Sequence, residues 1–457
     1  MRAISFYGPP GTGKTETLIR EARSLLHTHK ICFVSHTRAA AEECVARIGD
    51  QKHGRTLHSL AYAIANVAKA SVITKGKLAS FAEYVGTPVG IETEDGEGDI
   101  YLSVYHYARS VMRPINDVYD EFGRPGHYAG FSSFIQSYRS WKEAFGLVDF
   151  TDMIERALRV PYKPPFNALL VDESQDLSPL QWKLVEKLAT SMGVVMIAGD
   201  DDQTIYQWSG ADPRGIDEFD KPNSSTRNIL SQSHRVPRET FMAADSIIKR
   251  VKRRVPKAYK PRDFQGKIQR YASIEQVNLN KEMMVLCRDR YKVAEVEQIL
   301  ITQGIPYRLH GAQGFMTRGY AKAMEVWRKL ESGSSITDGE RQSLFLACDK
   351  YSQRLVGDLR FKDLLKRGWL ASIPMPPKAV EYFSMVRSSG KPRVHLSTIH
   401  AAKGKEAKEV VLYTASSQKT VDAFFVNPDS EHRLFYVGVT RASEKLHIVE
   451  GTMGYEV

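Results

Sequence analysis

Short apolar runs that end in polar or charged clusters recur along the chain, and stretches of helical period follow them. Residues 1–7 (MRAISFY) read as a buried strand, with apolar positions at helical spacing over 17–26 behind it. Residues 30–35 (KICFVS) form a second strand ending in His36, Thr37 and Arg38, and 39–48 has helix composition. The same signature returns at 168–171 (ALLV), ending in Asp172 and Glu173, and at 194–198 (VVMIA), ending in Gly199 and three aspartates. Further on, 281–287, 394–398, 410–414 and 446–449 read as strands, and 431–442 reads as a helix. Strands alternating with helices predict an α/β fold with parallel sheets.

The pattern breaks into four parts. Residues 1–60 and 166–225 form one sheet domain, interrupted by a mostly helical insertion over 61–165. That insertion carries an acidic loop at 92–99 (ETEDGEGD), expected to face solvent, and a turn-rich stretch at 124–130. A second sheet domain is expected from Thr226, over 226–315 and 391–457, with a small helical insertion at 316–390. The basic run at 249–262 (KRVKRRVPKAYKPR) reads first as a solvated surface, because Pro256 and Pro261 break it, and second as a phosphate contact.

Composition narrows the classes. At 457 residues the chain exceeds the usual single domain, and 42% hydrophobic with 26% charged residues is a globular balance. The formal charge of +11 favours a polyanionic partner. No apolar run is long enough to span a bilayer, and a strand at the first residues leaves no place for a signal peptide, so a cytoplasmic protein without a membrane partner is expected. Cys32, Cys44, Cys287 and Cys348 are scattered, which suggests reduced core thiols rather than a metal site.

Chemistry concentrates at the strand ends. Gly8, Pro9, Pro10, Gly11, Thr12, Gly13, Lys14 and Thr15 complete the GxxxxGK[ST] spacing between a strand and a helix. Glycines let backbone N–H groups close on a phosphate, Lys14 reaches the β/γ-phosphates, and the Thr15 hydroxyl can hold Mg²⁺. The chain is therefore expected to bind a nucleoside triphosphate. Asp172 would orient the metal and Glu173 polarise the attacking water, while Gln203 could position the γ-phosphate. Tyr206 and Trp208 read either as base-stacking surfaces or, for Trp208, as core. Thr37 lies on the ligand rim or serves as an N-cap, and His58 could be a structural histidine. Arg433 and Arg441 would share a helical face, the second domain offering an arginine to the triphosphate of the first.

In sequence order, GPPGTGKT, HTRAAAEE, TLHSL, DFTDMI, VDESQDLSPLQ, AGDDDQTIYQWSGA, SHRVP, GIPY, STIHAAKGKEAKEV and EHRLFYVGVTRA resemble the motifs of a superfamily 1 helicase of the UvrD/Rep/PcrA kind. The resemblance implies two RecA-like domains and ATP with Mg²⁺ as cofactors. It implies movement 3′ to 5′ on single-stranded DNA and at duplex junctions, with replication, repair or recombination proteins as partners. By the same resemblance, Gln203 links γ-phosphate to DNA, Arg235 and Arg441 act on the γ-phosphate from the second domain, and Glu406 lies near the ribose. Tyr206 and Trp208 fall in the segment whose tryptophan stacks on DNA, and His36, Thr37, His58, Thr398 and His400 line the strand's path.

Three departures bear on function. The family's adenine-reading glutamine segment is not seen before the first strand, and His234 stands where an adenine-stacking tyrosine is expected. Weak selection of ATP over GTP is the expectation. The short span between GIPY and the strand at 394 suggests a compact form with a reduced second insertion. The alternative to a helicase is a DNA-stimulated ATPase that clamps or remodels without processive unwinding.

Overall fold

A computed structural model describes residues 1–49, 54–89, 97–310, 320–386, 393–452 and 454–457. The chain divides into two compact units, Met1–Arg235 with Val251–Arg262, and Val236–Arg250 with Asp263–Val457. In the first, β1 (Arg2–Tyr7), β2 (Ile31–Val34), β3 (Gly54–Arg55), β4 (Ala168–Val171), β5 (Val194–Gly199) and β6 (Thr226–Ile229) make one sheet. Its order is β3-β2-β4-β5-β1-β6, and every pairing is parallel. β2, β4 and β5 are buried at every position, as strands covered on both faces must be. Parallel strands present all their carboxyl ends at one rim. Tyr7 lies opposite Gly199, Val171 opposite Ile197, and Val34 opposite Val171, so the loops that follow them emerge together.

The domain boundary differs from the expectation at Thr226. Thr226–Ile229 pairs with residues 4–7 of β1 and completes the first sheet, and the first unit runs on to Arg235. As a largely exposed edge strand, TRNI lacks the apolar signature of the others. Behind it, Asp220 accepts hydrogen bonds from the Ser5 hydroxyl and from Tyr7 Oη at 2.9 Å, and pairs with Arg227 Nε at 3.0 Å. These bonds tie down the end of β1 just before the glycine-rich loop.

The inserted helices divide between two cores. Helices Lys75–Val85, Glu97–Ser110, Ile115–Glu121 and Tyr128–Ala144 enclose a cluster around Phe81, Phe131, Phe134 and Tyr138. Helices Leu57–Ile64 and Phe150–Arg159 instead contribute Leu60, Ala61, Met153 and Ile154 to the core beneath the first sheet. Residues 92–96 of the acidic loop lie outside the described residues, and Glu97 and Asp99 open a helix.

The second unit holds β7 (Lys267–Tyr271), β8 (Met283–Cys287), β9 (Tyr307–His310), β10 (Val394–Thr398), β11 (Ala407–Tyr413) and β12 (Ala442–Val449). The order is β7-β12-β11-β8-β10-β9, again parallel throughout. β7 escaped the sequence reading because KIQRY is a half-exposed edge strand. The helices between Tyr320 and Val386 place Trp327, Leu344, Val356, Leu364 and Trp369 in the same apolar core as Met283, Val285 and Leu396. All four cysteines are buried and free. Among the described residues, no helix is long and apolar enough to cross a membrane.

Candidate nucleotide site and nucleic-acid face

The loop after β1 wraps closely on itself. A Cβ on Gly8 would come within 2.5 Å of Lys14 Cγ, and one on Gly11 would come within 2.5 Å of Arg235 Cβ. Gly11 and Gly13 hold φ of 74° and 79°, a region open to glycine at no steric cost. Helix Lys14–Leu25 starts at Gly13 with no side-chain cap on its first N–H groups, as suits a helix end that faces a phosphate. Lys14, nearly buried, folds its ammonium back on the Gly8 carbonyl at 2.6 Å. Thr12 Oγ1 donates to the Pro9 carbonyl at 2.8 Å. The loop thus closes on itself, with the Lys14 ammonium drawn back onto its first carbonyl.

Thr15 Oγ1 donates to Asp172 Oδ2 at 2.6 Å, although the two are far apart in sequence. A hydroxyl and a carboxylate this close fit joint ligation of Mg²⁺, directly or through water. Burial pushes the Asp172 carboxyl up to about 6, the Glu173 charge adding to the rise against the Thr15 hydroxyl and Lys14. A divalent ion at that position would offset the desolvation. Glu173 sits at φ 52°, in the left-handed region. Gln175, which sequence reasoning passed over, holds Glu173 through its amide N–H and accepts from the Asp200 backbone N–H at 3.0 Å. It joins the loops after β4 and β5.

After β5, Asp200 accepts from Gln203 Nε2 at 2.8 Å. The run at 249–262 is where expectation and structure part most. Lys257 carries a side chain with 0% exposure, its ammonium 3.0 Å from Asp200 Oδ1 and 3.0 Å from Asp202 Oδ2 and also bonded to Asp201. Arg254 forks onto both oxygens of Asp202, and Tyr259 Oη donates to the Pro10 carbonyl at 3.0 Å. The solvated surface expected of this run does not hold for these residues, because three buried carboxylates require buried cations. The aspartates are close enough for a metal site, but Lys257 occupies that position. Burial acts to lower the Lys257 pKa, and the three carboxylates override it and raise the pKa above the lysine range.

Aromatic residues begin just past Gln203. Trp208 is 68% exposed, which rules out the core alternative. Its ring meets Tyr206 edge-on at 6.4 Å, and Tyr206 stacks on His36 at 5.4 Å and 8°. Farther on, His58 packs edge-to-face on Phe150 at 5.6 Å, and Phe150 is 60% exposed. Burial and the charge of His36 both lower the His58 pKa, so the imidazole is neutral at pH 7. Phe150, in DFTDMI, was missed because an exposed aromatic beside an N-cap aspartate gives no periodic signal. Thr37 is the N-cap of helix Arg38–Ile48, accepting from the Ala40 N–H at 3.2 Å.

Other expected residues take different places. Arg235 belongs to the first unit rather than the second, beside an exposed His234 whose backbone N–H donates to the Gly11 carbonyl at 2.8 Å. In the second unit the predicted helix is Pro428–Val439, so Arg441 lies beyond its end and shares no helical face with Arg433. Arg441 is buried, and its guanidinium donates to the carbonyls of Val437 at 2.9 Å and Lys405 at 3.2 Å. Thr398 accepts from the Ala401 N–H at 3.2 Å, capping the short turn that carries His400. Glu406 is exposed at the start of β11.

Comparison with known proteins places this arrangement. The UvrD/REP helicase N-terminal domain matches residues 116–224, and the UvrD-like helicase C-terminal domain matches 379–451. DNA helicase II of Escherichia coli is 30% identical over 247 residues, 46% of this chain and 34% of that protein. ATP-dependent DNA helicase PcrA of Staphylococcus epidermidis is 24% identical over 373 residues, 71% of this chain and 51% of that protein. The chain thus spans about half, or less, of the length of these curated relatives. A solved arterivirus nonstructural protein 10 (helicase) shares 13% identity over 98% of this chain and 59% of its own, at a TM-score of 0.36. With both domain matches in the expected order, the chain carries regions similar to the UvrD/REP helicase N-terminal domain and the UvrD-like helicase C-terminal domain, and it is similar to DNA helicase II and PcrA.

Proposed function

We propose that the protein is an ATP-driven DNA helicase and translocase that moves 3′ to 5′ on single-stranded DNA. One observation carries the reading. The phosphate cradle, the Thr15–Asp172 pair, Glu173 and Gln203 share one rim of the first sheet, and the Trp208–Tyr206–His36 surface begins just past Gln203. In this reading Lys14 neutralises the triphosphate, Thr15 and Asp172 hold Mg²⁺, and Glu173 orients water for attack on the γ-phosphate. Gln203 senses the γ-phosphate, and the short loop to Trp208 carries that state to a stacked base. Arg235 and Arg441 add fixed positive charge that stabilises the transition state. His234 and Glu406 flank the nucleoside. Phe150, His58 and Thr37 extend the path of the strand in the first unit, with Thr398 and His400 supplying contacts from the second. The four buried free cysteines support a reducing, cytoplasmic setting.

Unwinding of a duplex with a 3′ or a 5′ single-stranded tail, measured beside DNA-stimulated ATP hydrolysis, tests the reading. Strand separation from the 3′-tailed substrate alone is expected. Hydrolysis without unwinding on either substrate would make the protein a DNA-stimulated clamp or remodeller. Glu173→Gln should bind nucleotide and lose turnover; a parental hydrolysis rate in that variant with DNA present would overturn the role of Glu173.

A further inference from the structure

The chain enters the second unit at Val236–Arg250, returns to the first over Val251–Arg262, and leaves again at Asp263. The returning segment seats on both phosphate-facing loops of the first unit. Tyr259 holds the Pro10 carbonyl of the glycine-rich loop, and the Val255 N–H donates to Asp201 Oδ2 at 2.8 Å. Lys257 pairs with Asp200, Asp201 and Asp202, and Arg254 with Asp202, on the loop that ends in Gln203. Asp200 is the hinge of this arrangement. One of its oxygens is 3.0 Å from the Lys257 ammonium, and the other accepts from the Gln203 amide at 2.8 Å. An ionised carboxylate only accepts hydrogen bonds, so it fixes which end of that amide faces it and which end turns away. A protonated Asp200 would lose that discrimination.

We propose that Lys257 is a positioning residue of the nucleotide site, holding the Asp200 carboxylate that orients the Gln203 amide, so that recognition of the γ-phosphate depends on a side chain delivered by the returning segment. The proposal rests on the reading of Gln203 as the γ-phosphate sensor. Apolar residues of similar volume would fill a buried site at lower desolvation cost than three acids and two bases. The cluster therefore serves orientation rather than stability alone. Lys257 acts through Asp200 and touches neither phosphate nor water in this scheme.

Lys257→Met in the full chain tests it, with four readouts: melting temperature, affinity for ADP, affinity for ATPγS, and the DNA-stimulated kcat and KM for ATP. ADP lacks the γ-phosphate, so its affinity should match the parent. The preference for ATPγS over ADP should shrink towards unity, and kcat should fall roughly 10- to 100-fold through misplacement of the sensor. Lys257→Met combined with Gln203→Ala should be no worse than Gln203→Ala alone, because both act on one amide. A folded Lys257→Met with parental ATPγS preference and kcat overturns the proposal. So does a variant that loses ADP and ATPγS affinity equally as it melts earlier. If Lys257→Met does not fold, Asp200→Asn carries the same comparison with the same expected and overturning results. A parent protein that binds neither nucleotide would overturn the nucleotide site and the proposal together, whereas a parent that prefers ATPγS beside an unaltered Lys257→Met removes the proposal alone.

Discussion

The Thr15 hydroxyl donates a 2.6 Å hydrogen bond to Oδ2 of Asp172, joining the first turn of the helix after β1 to the end of β4. The sheet order places β5 between β1 and β4, so the two groups meet across an intervening strand end at the common rim. This pair is the natural seat of Mg²⁺ in the proposed reaction. Asp172→Asn keeps the volume and removes the charge. Turnover should fall by about 10²- to 10³-fold, the scale of losing one preorganised electrostatic contact, and chelation of Mg²⁺ with EDTA should abolish hydrolysis in the parent. Steady-state ATPase assays at saturating DNA check both. Parental turnover in Asp172→Asn would remove the residue from the metal site.

Trp208 should contribute to DNA binding and little to folding. At 68% exposure, truncation gives up far less than the ~3–5 kcal/mol typical of a buried tryptophan. Trp208→Ala should weaken binding to a single-stranded oligonucleotide by roughly 1–3 kcal/mol, with basal ATPase and melting temperature unchanged. Fluorescence anisotropy and a thermal melt on the same sample decide it; an early melt with loss of basal ATPase would show the ring to be structural.

Nucleotide choice should be permissive. His234 is exposed beside Gly11, and an imidazole offers a base less stacking area than a tyrosine ring. The ratio of kcat/KM for ATP over GTP should stay below about 100-fold, which corresponds to about 2.7 kcal/mol. A larger ratio would show that other groups read the adenine.

Acid should loosen the helical insertion through Asp149. Burial favours its protonated form, but His106, Lys142 and Arg109 outweigh burial and hold its pKa below the usual carboxylate range. Lys142 and Arg109 both pair with it at low exposure. Because the folded pKa lies below the unfolded one, the stabilisation is fully present above the unfolded value, ~3.9, and is lost as pH falls towards the folded value. Asp149→Asn should cost up to about 3–5 kcal/mol at neutral pH, less where Asp152 and Glu155 keep their pairs with Arg109. It should also flatten the decline of melting temperature below ~pH 4. Circular dichroism melts of both proteins across that range test the sign, and parallel curves would place the pH dependence elsewhere.

Local chemistry determined much of this from the sequence alone. The octet ending in Lys14 and Thr15 requires glycine dihedrals and a following helix, so a phosphate cradle is readable wherever those residues stand together. The buried parallel strands at Ala168–Val171 and Val194–Gly199 announce themselves because both faces are covered and nearly every position is apolar. Edge strands are open on one side and lose that signal. By its pattern Thr226–Ile229 therefore gives no sign of belonging to the first sheet, and Lys267–Tyr271 gives no strand signal.

Tertiary structure alone decided which polar groups meet. Nothing in the run from Lys249 to Arg262 distinguishes a buried lysine from a solvated one, because burial depends on where the chain returns in space. The return to the first unit puts Lys257 among Asp200, Asp201 and Asp202. The same holds for Trp208, whose aromatic ring suits a core and a stacking surface equally by composition and which lies exposed in the short turn Gln207–Ser209. Helix Pro428–Val439 stops before Arg441 for a similarly non-local reason: Ala407 donates its N–H to the Arg441 carbonyl, and β12 begins at the next residue beside β11. Sheet pairing there overrides the helical period that the sequence carries.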